Sequence, residues 1–234
     1  MGPEMTESRG RSVRSYNQYC AVARGLDVIG DRWTLLLVRN LLLGPKRYKD
    51  LLEGLPGIGT NLLAARLREL EDVGLLERAV LPPPAGSTVY RLTETGAALE
   101  PVLMAISRWG GRFLGRPRPE DALVPSAYFV ALRAAFQPDV AAHLEETYEF
   151  RIAGSVFEVR VDGGVCSTRE GEARNPDAVL TLSVETLDAL LFEGLSPEDA
   201  LSNGRVEVRG DPRALDRFLS VFDVRAAALA GMPG

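Results

Sequence analysis

The chain is poor in the side chains that most often carry chemistry. Among 234 residues there is one histidine, His143, and there are two cysteines, Cys20 and Cys166. Two cysteines are too few for a disulfide framework. His143 lies in "DVAAHLEE", which reads as a surface helix, and no Ser-His-Asp pattern, metal-ligand cluster or phosphate-cradling glycine loop accompanies it. "GDP" at residue 210 reads as a helix cap rather than a nucleotide motif. These absences argue against an enzyme and against any cofactor or metal. Long apolar runs are also missing, since none approaches the ~18 residues a spanning helix needs. The polar N-terminus "MGPEMTESRGRSVRSYNQY" has no apolar signal region. A cytoplasmic protein without a membrane partner is expected.

What is present is globular: 46% apolar and 25% charged residues, in a length that suits two domains. The charge is uneven. Residues 1–118 hold 17 Lys+Arg against 12 Asp+Glu, a balance of +5, and residues 119–234 hold 10 against 20, a balance of −10, which sum to the overall −5. A basic first half on an acidic second half points to a polyanion partner for the first.

Helical spacing and punctuation divide the chain. Residues 1–15 are expected to be disordered and residues 16–115 to form a winged helix-turn-helix domain. A linker spans 116–122, marked by "GRPRPED" at 115–121, and a second domain spans 123–225. The fold class expected is α+β: a winged helix-turn-helix domain followed by a small mixed domain with helices packed on one sheet. In the first domain a helix covers about 18–30. A second helix follows Asp31 as N-cap and stops at Gly44, and a third opens at Pro45. After "PGIG" comes "TNLLAARLRELED", stopped by Gly74, with Leu62, Leu63, Leu67 and Leu70 assigned to its inward side. Leu75–Arg78 and Val89–Leu92 are expected to pair as a hairpin with the tip "PPPAGS". "TETGAALEPVLMAISRWGGRFL" reads as one long helix capped by Thr93 or Thr95.

Three helices followed by a hairpin is the order in which a recognition helix enters the DNA major groove. The outward side of "TNLLAARLRELED" suits that use. Ala64 and Ala65 are slim and present methyl groups to a thymine methyl; Asn61 can pair with adenine, and Arg68 with guanine or phosphate. Thr60 sits where helix N–H groups favour a phosphate. Lys46, Arg47 and Lys49, at the opening of the preceding helix, suit phosphate contacts. Arg68 equally suits an ion pair with Asp72 one turn on, Arg66 an intradomain brace, and Trp33 the core.

The stretch "YCAVARGLDVIGDRWTLLLVRNLLLGPKRYKDLLEGLPGIGTNLLAARLRELEDVGLLER…VYRLTETGAALEPVLMAISRWG", about residues 18–114, resembles the HxlR-type transcriptional regulators. The resemblance implies a homodimer built on the first and last helices of this domain, reading double-stranded DNA in successive major grooves. Three features depart from the family pattern: Ala21 stands where proline follows the cysteine, Asp31 replaces a glycine or lysine, and the wing tip carries no Arg or Lys. Repression by promoter occlusion is the expected mode.

In the second domain, residues 148–222 read as β-β-β-α-α-β-α. Together with "GLSPEDAL", a glycine, a strand, Gly-Asp and a helix, this resembles the sterol-carrier-protein type-two-like fold. That resemblance implies an apolar cavity between sheet and helices for a lipid-like effector. Phe129, Phe136, Phe157, Val159, Leu187, Leu191, Phe218 and Phe222 are its candidate lining, or the ordinary core of a small domain. An alternative function is a lipid carrier that reads no DNA. Another is a redox or electrophile sensor through Cys20, which aligns with the family's N-terminal cysteine, with Arg24 one turn on to favour the thiolate. Because free cysteine is commonly buried and inert, Cys20 on an apolar-looking helix is expected to be structural.

Overall fold

The computed structural model describes residues 15–82 and 86–224. The expectation of disorder over residues 1–15 therefore falls almost wholly outside the described residues, as does half of the wing tip.

The first domain begins with α1 (Ala21–Ile29), α2 (Thr34–Leu41), α3 (Tyr48–Glu53) and α4 (Thr60–Asp72). Asp31 Oδ1 accepts from the Trp33 N–H at 2.9 Å and so turns the chain into α2. Helix α4 buries Leu63, Leu67 and Leu70 against Trp33, Leu37, Leu51 and Leu55. Leu62, assigned to the same inward side from its spacing, is 39% exposed. It lies about 100° around the helix from Leu63 and clears the core. Strands β1 (Leu76–Val80) and β2 (Thr88–Leu92) form the antiparallel wing, with Leu76 opposite Leu92. Lys46 adds a short third edge, its N–H donating to the Tyr90 carbonyl at 2.9 Å.

The single helix expected after the wing is broken into α5 (Glu94–Ala97), α6 (Glu100–Gly110) and a 3-10 turn, Gly111–Phe113. Pro101 has no N–H to continue a helical ladder, so it sits in the first turn of the new helix. Thr93 caps α5, its hydroxyl oxygen accepting from the Gly96 N–H at 3.2 Å. Gly96 lies so close to β1 that a Cβ would sit 1.9 Å from the Leu75 carbonyl oxygen.

Helix α7 (Pro125–Ala135) leads into β3 (Glu145–Ile152), β4 (Ser155–Asp162), β5 (Val165–Glu170) and β6 (Ala178–Leu182). Then come α8 (Val184–Asp188), continued by a π turn over Ala189–Glu193, α9 (Pro197–Ser202), β7 (Val206–Gly210) and α10 (Ala214–Ser220). Four strands thus precede the helices, where three were expected. The sheet order is β5-β4-β3-β6-β7, antiparallel except for β3 with β6. Ala153 and Gly154, at φ of 51° and 82°, make the left-handed two-residue turn that matches hairpin twist.

One face of this sheet is apolar. Tyr148, Phe150 and Ile152 alternate on β3, and Phe157, Val159 and Val161 on β4, all buried under α7, α8 and α10. The other face carries ion pairs such as Glu158–Arg169 at 2.5 Å and Arg160–Asp162 at 2.7 Å. The core of the second domain extends into the first: Leu43, Leu103 and Met104 belong to it.

Candidate nucleic-acid interface

The candidate reading surface is assembled around the N-terminal half of α4. The Tyr48 hydroxyl of α3 donates to the Thr60 carbonyl at 2.7 Å and pins the first turn of α4. Thr60, Asn61, Leu62 and Arg68 are exposed, and Ala64 and Ala65 are half-exposed. Amide, guanidinium and methyl groups therefore share one accessible strip, as the spacing predicted. Arg68 Nε donates to the Ala64 carbonyl at 3.1 Å, which lays the guanidinium along the helix. Among the described residues it makes no ion pair with Asp72. Arg66 is the brace anticipated for it, bridging Asp31 at 2.9 Å and Glu69 at 2.5 Å.

Arg47 and Lys49 are exposed beside this strip. Lys49 stands 3.5 Å from Glu53, with its side chain 81% exposed, so that pair leaves the ammonium available. Lys46 is different and corrects its assignment as a phosphate contact. It is 6% exposed, and its ammonium is paired with Glu170 of β5. A residue 124 positions away in sequence supplies its partner, so no local pattern could have shown this. Leu62 and Arg32 are also exposed, the Arg32 guanidinium lying 5.1 Å over the Trp33 ring just before α2.

Two further surfaces bear on function. The first and last helices of the domain expose apolar side chains, Val22 and Leu26 on α1, and Val102, Ile106 and Trp109 on α6, the last packed edge-on to Phe113. Only Ala23 of α1 is buried within its own chain. Cys20, expected to be buried, is exposed at the N-cap of α1. The Ala23 and Val22 N–H groups stabilise its thiolate and lower its pKa below the ordinary 9.0. Arg24, assigned that role from its spacing, instead faces Asp27 at 3.6 Å. Cys166 is the reverse case, its thiol pushed up to about 12 by burial.

The candidate pocket residues pack against one another within the core of the second domain. The Phe129 ring stacks on Phe157 with centroids 4.1 Å apart and meets Phe150 at 5.3 Å. Phe218 packs on Phe150 and Phe222, each at 4.8 Å. Val159, Leu187 and Leu191 are buried among them, and Phe136 tilts onto Phe222 at 5.6 Å. A cleft of about 420 Å³ lies on the charged face, open to solvent and lined by Thr147, Glu158, Arg160, Arg169 and Arg174.

A winged helix-turn-helix unit joined to a five-stranded mixed domain is the class these features define. Residues 28–118 match the HxlR-like helix-turn-helix family, and residues 131–228 match the alkyl sulfatase C-terminal family. The HTH-type transcriptional regulator YodB of Bacillus subtilis is 41% identical over 86 residues, covering 37% of this chain and 77% of that protein. The uncharacterized HTH-type transcriptional regulator sll1512 of Synechocystis is 32% identical over 120 residues, covering 51% of this chain and 89% of that one. The chain belongs to the HxlR-like helix-turn-helix family.

Among solved structures, quinone-bound YodB from B. subtilis is 36% identical, with a TM-score of 0.34, covering 38% of this chain and 93% of that one. The sec-alkyl sulfatase PisA1, as a double mutant, is 24% identical, with a TM-score of 0.40, covering 42% of this chain and 16% of that one. The second domain is matched by its sequence to the alkyl sulfatase C-terminal family, and the sterol-carrier likeness stays an expectation from the sequence. Among the described residues no helix is long and apolar enough to cross a membrane.

Proposed function

We propose that the protein is a dimeric, sequence-reading transcriptional repressor that binds double-stranded DNA in the cytoplasm. The observation that carries this reading is the strip on α4, where Asn61, Ala64, Ala65 and Arg68 lie together and accessible beside Arg47 and Lys49. In such a strip the amide and guanidinium read base edges, the methyl groups meet thymine, and the flanking cations hold phosphates. Leu62 extends the apolar part of the strip. The exposed apolar faces of α1 and α6 support a two-fold dimer, which sets two reading helices one helical turn apart on the duplex.

The test is selection from a random duplex library at two salt concentrations, with wild type and Asn61→Ala/Arg68→Ala. A two-fold-related site enriched by the wild type and lost in the double variant is the expected result. Equal enrichment by both proteins would move the reading surface elsewhere.

A second reading is favoured by Cys20: this regulator responds to an electrophile or oxidant. The thiol is exposed, its thiolate is stabilised by two backbone N–H groups, and it opens the helix assigned to the dimer. YodB has been solved with a quinone bound, which is the kind of electron-poor molecule a thiolate attacks. Adding bulk at the start of α1 would change how two copies pack and so alter DNA affinity. Cys20→Ser should bind operator normally and lose any response to a quinone. A retained response would remove the thiol from the mechanism.

A further inference from the structure

The end of α2 is completed by groups from the other domain. The last carbonyls of a helix have no donor within it and must find one elsewhere. Here the Leu42 carbonyl accepts from Arg133 Nη2 of α7 at 3.3 Å, and the Leu43 carbonyl accepts from the Glu170 N–H of β5 at 2.8 Å. The Leu43 side chain is fully buried in the second domain's core. Three residues on, the buried Lys46 ammonium pairs with the Glu170 carboxylate. Arg133 is itself fixed, donating to Glu100 Oε1 and to Thr168 Oγ1, each at 2.8 Å. A second link runs from the Ser126 hydroxyl of α7 to Asn40 Oδ1 at 2.9 Å, and from Asn40 Nδ2 to the Gly54 carbonyl after α3 at 3.3 Å.

We infer that the second domain is an intramolecular clamp on the α2–α3 turn, and that Glu170 and Arg133 are positioning residues for DNA reading. The inference rests on the DNA-reading assignment above. Helix α3 starts two residues after Lys46, and Tyr48 of α3 holds the first turn of α4. The orientation of the turn is therefore passed directly to the strip that meets bases. Neither positioning residue touches DNA. They act by closing the open end of α2 and neutralising a cation that is out of reach of water. A buried cation that loses its counter-charge is costly, whereas replacing both partners with apolar chains is nearly neutral. The turn should therefore shift when one partner is removed and recover when both are replaced.

The test uses the full chain and three variants: Glu170→Gln, Lys46→Met, and the double Lys46→Met/Glu170→Met. For Glu170→Gln the Kd for the selected duplex should rise roughly 5- to 150-fold, the usual span of a coupling between sites. The slope of log affinity against log salt should stay at the wild-type value, because no phosphate contact is lost. The double variant should recover most of the affinity, a rescue that a general loss of folding would not give.

Amide hydrogen exchange without DNA gives a second readout: residues 42–60 should exchange faster in Glu170→Gln and return toward wild type in the double variant. If Glu170→Gln does not fold, Arg133→Lys, which removes the fork that reaches Leu42, is measured in the same way. Three results would overturn the clamp: tighter or unchanged DNA binding by Glu170→Gln, a salt slope reduced by about one in Lys46→Met, or unchanged exchange over residues 42–60. If the wild type showed no salt-dependent duplex binding, the DNA reading would fall, and exchange would still decide the clamp.

Discussion

Truncating Phe129 tests whether the second domain holds a pocket or a core. The ring is fully buried and stacks on Phe157 at 4.1 Å with planes 13° apart. Phe129→Ala leaves the backbone carbonyl, and its hydrogen bond from Thr168 at 3.0 Å, in place. The lost ring therefore accounts for the effect, which is about 3–5 kcal/mol for a buried aromatic truncated to alanine. With an unfolding slope of about 1–3 kcal/mol per molar urea, the midpoint should fall by roughly 1–5 M. The vacated space is lined by Phe150, Phe157 and their neighbours, and an apolar cavity of this kind stays dry and takes up benzene. Urea unfolding followed by circular dichroism, with and without benzene, gives both quantities. Benzene should restore part of the variant's stability and leave the wild type unchanged. Benzene stabilisation of the wild type, with a loss below about 1 kcal/mol in the variant, would make Phe129 a mobile plug over a preformed pocket and refute the packing argument.

Three further outcomes follow from the same structure. Trp109→Asp places a carboxylate on the exposed face of α6, where the ring is 58% accessible in one chain. Sedimentation equilibrium should show a monomer, and the thermal midpoint of the chain should move little; an unchanged dimer would put the interface elsewhere. Iodoacetamide labelling should discriminate the cysteines. The Cys20 rate should level off below pH 9.0, and Cys166 should stay unlabelled near neutrality because burial holds its thiol near 12. Mass spectrometry showing both labelled at similar rates at pH 8 would contradict the geometry. Asp211 accepts from the Arg213 N–H at 3.0 Å and from Arg217 at 2.9 Å, contacts that depress its pKa from 3.8 to about 2. A depressed carboxylate stabilises the fold above its unfolded pKa and loses that contribution as pH falls through the folded value. Asp211→Asn should therefore flatten the stability profile between roughly pH 4 and pH 2, and an unaltered acid limb in urea titrations would argue against these contacts.

The order of elements and most of the candidate strip on α4 were legible in the sequence, because local rules govern them. Thr93 and Ser196 supplied caps, and helical spacing put Asn61, Ala64, Ala65 and Arg68 on one side, whereas α2 is capped at Trp33 rather than Asp31 and α3 opens at Tyr48 rather than Pro45. The same rules misplaced Leu62, because in the first turn of a helix the core does not cover the full width of the apolar stripe. They misjudged Cys20 as well, since burial depends on what packs against a helix and α1 packs against little in its own chain.

What lies between distant residues was decided only by the tertiary structure. Eight apolar side chains marked out one volume in the second domain, yet whether that volume is empty or full depends on where Phe129 of α7 comes to rest. Lys46 is a cation in a basic segment by sequence, and Glu170 is an acid in a distant strand. Their pairing exists because β5 docks against the end of α2, which buries the Lys46 ammonium and leaves the Glu170 carboxylate partly exposed beside it. Spacing determines which side chains share a face; the packing of one face on another determines which of them remain free to meet a ligand.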